Sequence, residues 1–210
     1  MIGVVDYRAG NAPSVMFALA RLGLDARLVA SADDLDAVDR IILPGVGAAR
    51  ATVDSLAETG MVDALRRRAL DDRVPFLGIC IGLQVLFERS EEGPAECLGW
   101  LPGEVRRFPD SVRVPQIGWN LVRFTRPHAL TEGLPADPYC YFVNSYHAVP
   151  ADPAAVLGTT EYAHEFCSVV ASGNVAATQF HAEKSGEVRS EEHTSELQSH
   201  SDLVCRLLLE

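Results

Sequence analysis

Apolar residues in the first half of the chain come in short unbroken runs separated by stretches of helical period. Residues 2–5, 26–29, 40–43 and 74–79 read as strands, and residues 14–22, 48–70 and 83–88 read as helices. Strands that are apolar throughout, rather than alternating, suit a parallel sheet covered by helices on both faces. From about residue 104 the rhythm changes to closely spaced strands without intervening helices, at 104–108, 119–124, 139–143, 156–161, 168–171 and 175–180. The pattern predicts an α/β fold: a central, mostly parallel sheet flanked by helices, with added antiparallel strands, in one domain. No internal repeat or linker divides the 210 residues.

Composition narrows the possibilities. With 18 basic against 29 acidic side chains the formal net charge is −11, so a phosphate-tracking surface is not expected. The densest basic cluster, Arg66-Arg67-Arg68, is answered by Asp71 and Asp72 one turn later and reads as a solvated helix face. The start of the chain lacks a basic segment and reaches Asp6 too early for a signal peptide, and the apolar stretch 74–87 is broken by Pro75, Gly78 and Gly82. A cytoplasmic protein without a membrane span is expected. Five scattered cysteines with no Cys-x-x-Cys pair suggest neither a disulfide framework nor a zinc site, and nothing in the chain calls for a metal or a cofactor.

The chemistry centres on Gly78-Ile-Cys80-Ile-Gly82, where an apolar strand runs into a helical segment. This is the pattern of a nucleophile elbow with sulfur in place of oxygen. A nucleophile on so sharp a turn occupies a strained backbone, and flanking glycines remove Cβ atoms that would clash there. The following helix is expected to turn its positive end toward the sulfur. A thiolate needs a proton-managing partner, and His181, at the end of the strand 175–180, is followed two residues on by Glu183. In extended chain both side chains fall on one side, so the carboxylate can orient the imidazole. His128, His147 and His164 read as surface or packing residues. Gly45 and Val46, in the glycine-rich loop after the strand 40–43, and the Ile81 N–H are candidate oxyanion donors.

These segments resemble the class I (triad) glutamine amidotransferases, and among them the glutaminase subunits of imidazole glycerol phosphate synthases. The resemblance is carried by Asp6-Tyr7 with Gly10-Asn11, Leu43-Pro-Gly-Val-Gly47, Gly78-Ile-Cys-Ile-Gly-Leu-Gln84, Val114-Pro-Gln-Ile-Gly-Trp-Asn120, Tyr141-Phe-Val-Asn-Ser-Tyr146, Leu157-Gly-Thr-Thr-Glu-Tyr162 and Thr178-Gln-Phe-His-Ala-Glu-Lys-Ser185. It implies that Cys80 attacks the glutamine amide, that His181 protonates the departing ammonia and then activates water, and that Glu183 orients His181. It further implies that Gln84 and Glu92 hold the glutamine head group, amide on the α-carboxylate and carboxylate on the α-ammonium, beside Ser145 and Tyr146. Ammonia would pass to a partner (β/α)8 cyclase subunit docked on Lys184 and a loop carrying Gln116, Trp119 and Asn120. Another glutaminase of the class, such as that of pyridoxal phosphate synthase, is disfavoured by the 116–120 and 141–146 segments. A catalytically silent interaction subunit is disfavoured by the intact Cys80, His181 and Glu183.

Several positions depart from that pattern. Ala182 stands where the resemblance leads one to expect Pro, Arg8 where it leads one to expect Gly, and Asn144 where many members have His; Ala12-Pro13 is an unusual opening for the first helix. Residues 189–199 match, codon for codon, the translation of a common sequencing-library adapter. Residues 1–188 are therefore expected to form the amidotransferase domain, and residues 189–210 a non-native tail in place of a closing helix.

Overall fold

The computed structural model describes residues 1–185 apart from Ala9; the tail expected over 189–210 lies outside the described residues. The parallel core consists of β1 (Ile2–Val5), β2 (Ala26–Val29), β3 (Arg40–Gly45) and β4 (Phe76–Cys80). Its helices are α1 (Ala12–Arg21), the single turn α2 (Ala32–Leu35), α3 (Ala49–Glu58), α4 (Met61–Arg66) and the single turn α5 (Ile81–Gln84). The second half adds the short β5 (Arg89–Ser90) and β6 (Ala95–Glu96), then β7 (Gly103–Arg107), β8 (Gln116–Leu121), β9 (Arg123–Phe124) and β10 (Tyr139–Asn144). It closes with β11 (Tyr146–Pro150), β12 (Val156–Tyr162), β13 (His164–Ser172) and β14 (Val175–Thr178).

The main sheet runs β2-β1-β3-β4-β14-β13-β11-β7-β5-β6, with β12 attached to β13 and β9 to β12, while β8 and β10 form a separate two-stranded ribbon. Pairing is parallel from β2 through β14 and antiparallel through β13, β11 and β7. Val4, Ile42, Leu43, Leu77 and Ile79 are buried, as unbroken apolar strands between two helical layers must be. In this register Gly45 lies beside Cys80 and Thr178 beside Ile79. The ends of β3, β4 and β14 therefore converge at the carboxyl edge of the parallel strands, where open α/β sheets form their crevices.

Some expectations are corrected. The helix over 48–70 is interrupted at Thr59-Gly60, where Gly60 takes φ 68°, and finishes in a wide turn at Arg67–Asp71. The helix over 83–88 is one turn that starts earlier, at Ile81. It stops because the Val85, Leu86 and Phe87 carbonyls accept from the Leu98, Trp100 and Gly99 N–H groups instead of continuing a helix. The strand 119–124 is split at Val122, and the loop expected at Gln116–Asn120 is strand β8. The arginine cluster is not uniformly solvated: Arg68 is largely buried, donating to the Leu35 and Val38 carbonyls as well as pairing with Asp72. Pro13 sits in the first turn of α1, which needs no N–H there. Arg8 adopts φ 69°, a left-handed conformation that suits the glycine it replaces. Among the described residues no helix is long and apolar enough to cross a membrane.

Candidate active site

Cys80 ends β4 and has φ 57°, ψ −105°, a conformation strained for any residue with a Cβ. The flanking glycines make the turn possible. A Cβ on Gly78 would lie 2.7 Å from the Gly82 carbonyl carbon, and one on Gly82 would press into the Leu43 carbonyl. Gly45 must also be small, since a Cβ there would sit 2.8 Å from the Ile81 Cβ and 2.9 Å from the Tyr7 hydroxyl. Gly45 thereby lies directly against the Cys80–Gly82 turn, and Val46 lines the same cleft as Cys80. The helical contribution is smaller than expected, because α5 has a single turn and builds little dipole.

The electrostatics come instead from side chains delivered by β14. His181 follows the strand end, nearly buried, and its Nδ1 is 2.8 Å from Glu183 Oε1. Glu183 also accepts from Asn11 Nδ2 at 3.2 Å, and Asn11 in turn accepts from the Ser14 hydroxyl at 2.7 Å. Burial works against the imidazolium, but hydrogen bonds to Cys80 and to Glu183 outweigh it and hold the His181 pKa at about 9. The other described thiols are pushed the opposite way by burial, Cys97 to about 11 and Cys140 and Cys167 to about 12.

A cavity of about 310 Å³ opens onto these groups, lined by Val46, Cys80, Ile81, Gln84, Glu92, Ser145, Tyr146, His181 and Lys184 among others. Most of the residues singled out in the sequence therefore converge on one cleft. Glu92 is held at its rim by accepting the Ala49 N–H at the uncapped start of α3. Gln84 departs from its expected part: both its amide hydrogens are committed, to the Tyr146 carbonyl at 3.2 Å and to Gln179 Oε1 at 3.0 Å, while its own Oε1 is buried with no partner. Its two N–H donors are therefore already used within the chain and are not free for a carboxylate.

The residues expected to face a partner divide. Lys184 and Trp119 are exposed, Trp119 against Tyr141 with ring centroids 5.7 Å apart. Gln116 is buried, and both ends of the Asn120 amide are used within the chain, by Glu161 O and the Leu121 N–H. In their place the ribbon exposes Ile117 and Tyr139, at 57% and 56%. Neither was singled out, although Ile117 alternates with Gln116 along a strand in a way the sequence could have revealed. His147 and His164 lie outside the cleft, their Nε2 atoms 3.3 Å apart, and His128 accepts from the Leu130 N–H. Among the described residues no cluster of three or more metal-binding side chains occurs.

A strained cysteine at a strand–turn junction, with an oriented histidine beside it at the carboxyl edge of a parallel sheet, is the arrangement that thiol-based acyl transfer requires. The chain belongs to the class I glutamine amidotransferase family, whose family model matches residues 4–197. Within the class it is similar to imidazole glycerol phosphate synthase subunit HisH of Dehalococcoides mccartyi, 44% identical over 187 residues covering 89% of this chain and 91% of that one. The same subunit of Geobacillus thermodenitrificans is 46% identical, covering 90% and 91%. Among solved structures, PurLQS from Thermotoga maritima superposes with a TM-score of 0.73 at 19% identity, covering 98% of this chain and 95% of that one. A structure described as a glutamine amidotransferase gives 0.70 at 24%, covering 87% and 90%; both speak to the fold alone.

Proposed function

We propose that this chain is the glutaminase subunit of an imidazole glycerol phosphate synthase, acting in the cytoplasm in histidine biosynthesis. The observation that carries the reading is the Cys80–His181–Glu183 arrangement opening onto a cleft that Glu92 and Gln84 also line. Glutamine enters with its amide carbon against the Cys80 sulfur. The sulfur attacks, and the developing oxyanion is met by N–H groups of the Gly45–Val46 segment and of Ile81. His181 gives its proton to the leaving nitrogen, so ammonia departs and a γ-glutamyl thioester remains. Water, deprotonated by His181, then attacks the thioester; glutamate leaves and the thiol is restored. Glu92 is an acceptor suited to the α-ammonium of the substrate, and Gln84, Ser145 and Tyr146 complete the wall.

The released ammonia passes to a (β/α)8 cyclase subunit docked on the ribbon face carrying Ile117, Trp119 and Tyr139, with Lys184 at its border. The size and apolar character of these three exposed side chains support that face as the docking surface. In this reading residues 1–188 carry the function and the adapter-like residues 189–210 do not. The test is glutamate release from glutamine with and without the cyclase subunit and its nucleotide ligand. Low turnover alone, strong stimulation in the complex and abolition by Cys80→Ala are expected; full turnover by the isolated chain would overturn the regulated-subunit reading.

A further inference from the structure

A buried chain of amides leads to the Cys80 sulfur, and its last member, Gln179, has no part in the mechanism above. Gln179 is fully buried, and its Nε2 donates to Cys80 Sγ at 3.7 Å. Its Oε1 accepts from Gln84 Nε2 at 3.0 Å, and the same Gln84 nitrogen donates to the Tyr146 carbonyl at 3.2 Å. Gln179 precedes His181 by two residues, and both side chains reach the cysteine from the same strand end.

The direction of this chain is determined by its donors and acceptors. The Tyr146 carbonyl can only accept, so it holds the Gln84 amide nitrogen toward itself, and that nitrogen's second hydrogen falls to Gln179. Gln179 must then meet Gln84 with its oxygen, which turns its own nitrogen to the sulfur. The flipped amide would set nitrogen against nitrogen and oxygen against sulfur. Both glutamines are buried, so no solvent competes for these bonds, and a buried amide lacking them would be costly. At the far end, Gln84 Oε1 is buried and unpartnered in the cleft-lining residue nearest this relay.

We propose that Gln179 is a positioning residue for the nucleophile, holding the Cys80 sulfur toward the substrate with one amide N–H while Gln84 fixes its orientation. The proposal rests on the glutaminase reading, with Cys80 as the attacking atom. The Gln84 N–H bond to Gln179 Oε1 polarises the Gln179 amide and strengthens its bond to sulfur, by the cooperativity of hydrogen-bond chains. No bond to Gln179 is made or broken; the residue acts by geometry and charge alone.

The experiment compares the parent chain with Gln179→Met, Gln179→Glu, Gln84→Met and the Gln84→Met/Gln179→Met double variant. Alkylation of Cys80 by iodoacetamide is followed by mass mapping on the isolated chain, and kcat and KM for glutamine are measured with the cyclase subunit. Losing one hydrogen bond to the reacting sulfur is expected to slow alkylation and kcat about tenfold in Gln179→Met, with KM changing less. Gln179→Glu keeps shape and oxygen but has no N–H to give, and should fall as far. In alkylation of the isolated chain, where no glutamine is bound, the double variant should be no slower than Gln179→Met alone, because Gln84 acts on sulfur only through Gln179. Parent alkylation and kcat in folded Gln179→Met, or alkylation losses that multiply in the double variant, would overturn the proposal. Should Gln179→Met fail to fold, Gln179→Glu carries the comparison. Activity that survives Cys80→Ala overturns the glutaminase reading itself, whereas activity lost there but retained in the Gln179 variants overturns only this proposal.

Discussion

Replacing Gly82 by alanine is the sharpest probe of why the elbow needs its glycines. The added Cβ would lie 3.2 Å from the Leu43 carbonyl carbon, 3.6 Å from Leu43 Cγ and inside the contact radius of the Leu43 oxygen. None of these atoms is the end of a flexible side chain: Leu43 is backbone-bonded in β3, opposite Gly78, and fully buried. Relief requires the end of β3 to retreat from the elbow by about 1 Å. The overpacking costs roughly 1–3 kcal/mol, and the ladder bonds stretched near Gly45 and Cys80 about 1 kcal/mol more. A loss of about 3 kcal/mol corresponds to a melting point lower by about 6–12 °C for a chain of this size. Because Gly45 moves with β3, turnover should drop about a hundredfold, the usual effect of displacing a reacting group by that distance. The control is Gly93→Ala, where φ is 63° and a Cβ meets nothing within 4 Å, so only about 1 kcal/mol of left-handed strain is incurred. Circular-dichroism melts and glutamate release measure both. If Gly82→Ala melts no lower than Gly93→Ala and turns over like the parent, the steric account of the elbow is wrong.

Two further predictions concern charge and backbone. With His181 raised to about 9 from an ordinary 6.5, its contribution to stability is fully present below about pH 6.5 and is lost as pH rises toward 9. kcat/KM should likewise decline on an alkaline limb near pH 9, as the proton destined for the leaving ammonia is lost. Glu183→Gln removes one of the groups that raise this pKa and should move the limb to lower pH in a pH–rate profile; an unmoved limb would assign it to another group. Arg8→Gly should stabilise the chain by about 1 kcal/mol, since it relieves left-handed backbone at φ 69°, and urea unfolding would register any loss instead.

How far the sequence could be read depended on the range of the forces involved. The parallel core was legible because strands buried on both faces must be apolar throughout, and β1 and β2 fall on the boundaries expected. Cys80 was legible because a nucleophile on a tight turn demands small neighbours locally, at i−2 and i+2, whereas Gln84, Glu92, Ser145 and Tyr146 were reached only through the family resemblance. Elements decided by distant partners were not. The helix after Cys80 ends early because the segment 98–100 claims its carbonyls, and β8 is a strand because β10 pairs with it over six residues. α2 is a single turn capped by the Ser31 hydroxyl on the Asp34 N–H, too short to show a period. Gln179 was passed over for the same reason: nothing in its local pattern shows that a second amide, 95 residues away, fixes which of its ends meets the sulfur.

The same distinction explains how the site is held. Cys80 is anchored through β4 to the core, between β3 and β14, and its backbone is over-determined by glycine packing on both sides. His181 lies beyond the end of its strand and is fixed by a smaller set of bonds. Its N–H donates to the Tyr141 carbonyl at 3.0 Å, its carbonyl accepts from the Ser185 hydroxyl at 2.8 Å, and that hydroxyl accepts from the Tyr141 N–H at 3.1 Å. Tyr141 belongs to β10, and its ring packs on Trp119 of β8. The base is thus tied by its own main chain to the ribbon whose outer residues are Ile117, Trp119 and Tyr139, while the nucleophile is tied to the sheet. Tyr141 is joined to the His181 main chain by one direct hydrogen bond and by two more through the Ser185 hydroxyl, and to Trp119 by one ring contact. On the proposed reading, in which turnover answers to a partner docked on the ribbon, the proton-transfer residue is the one tied to that face and the nucleophile is the one anchored in the sheet.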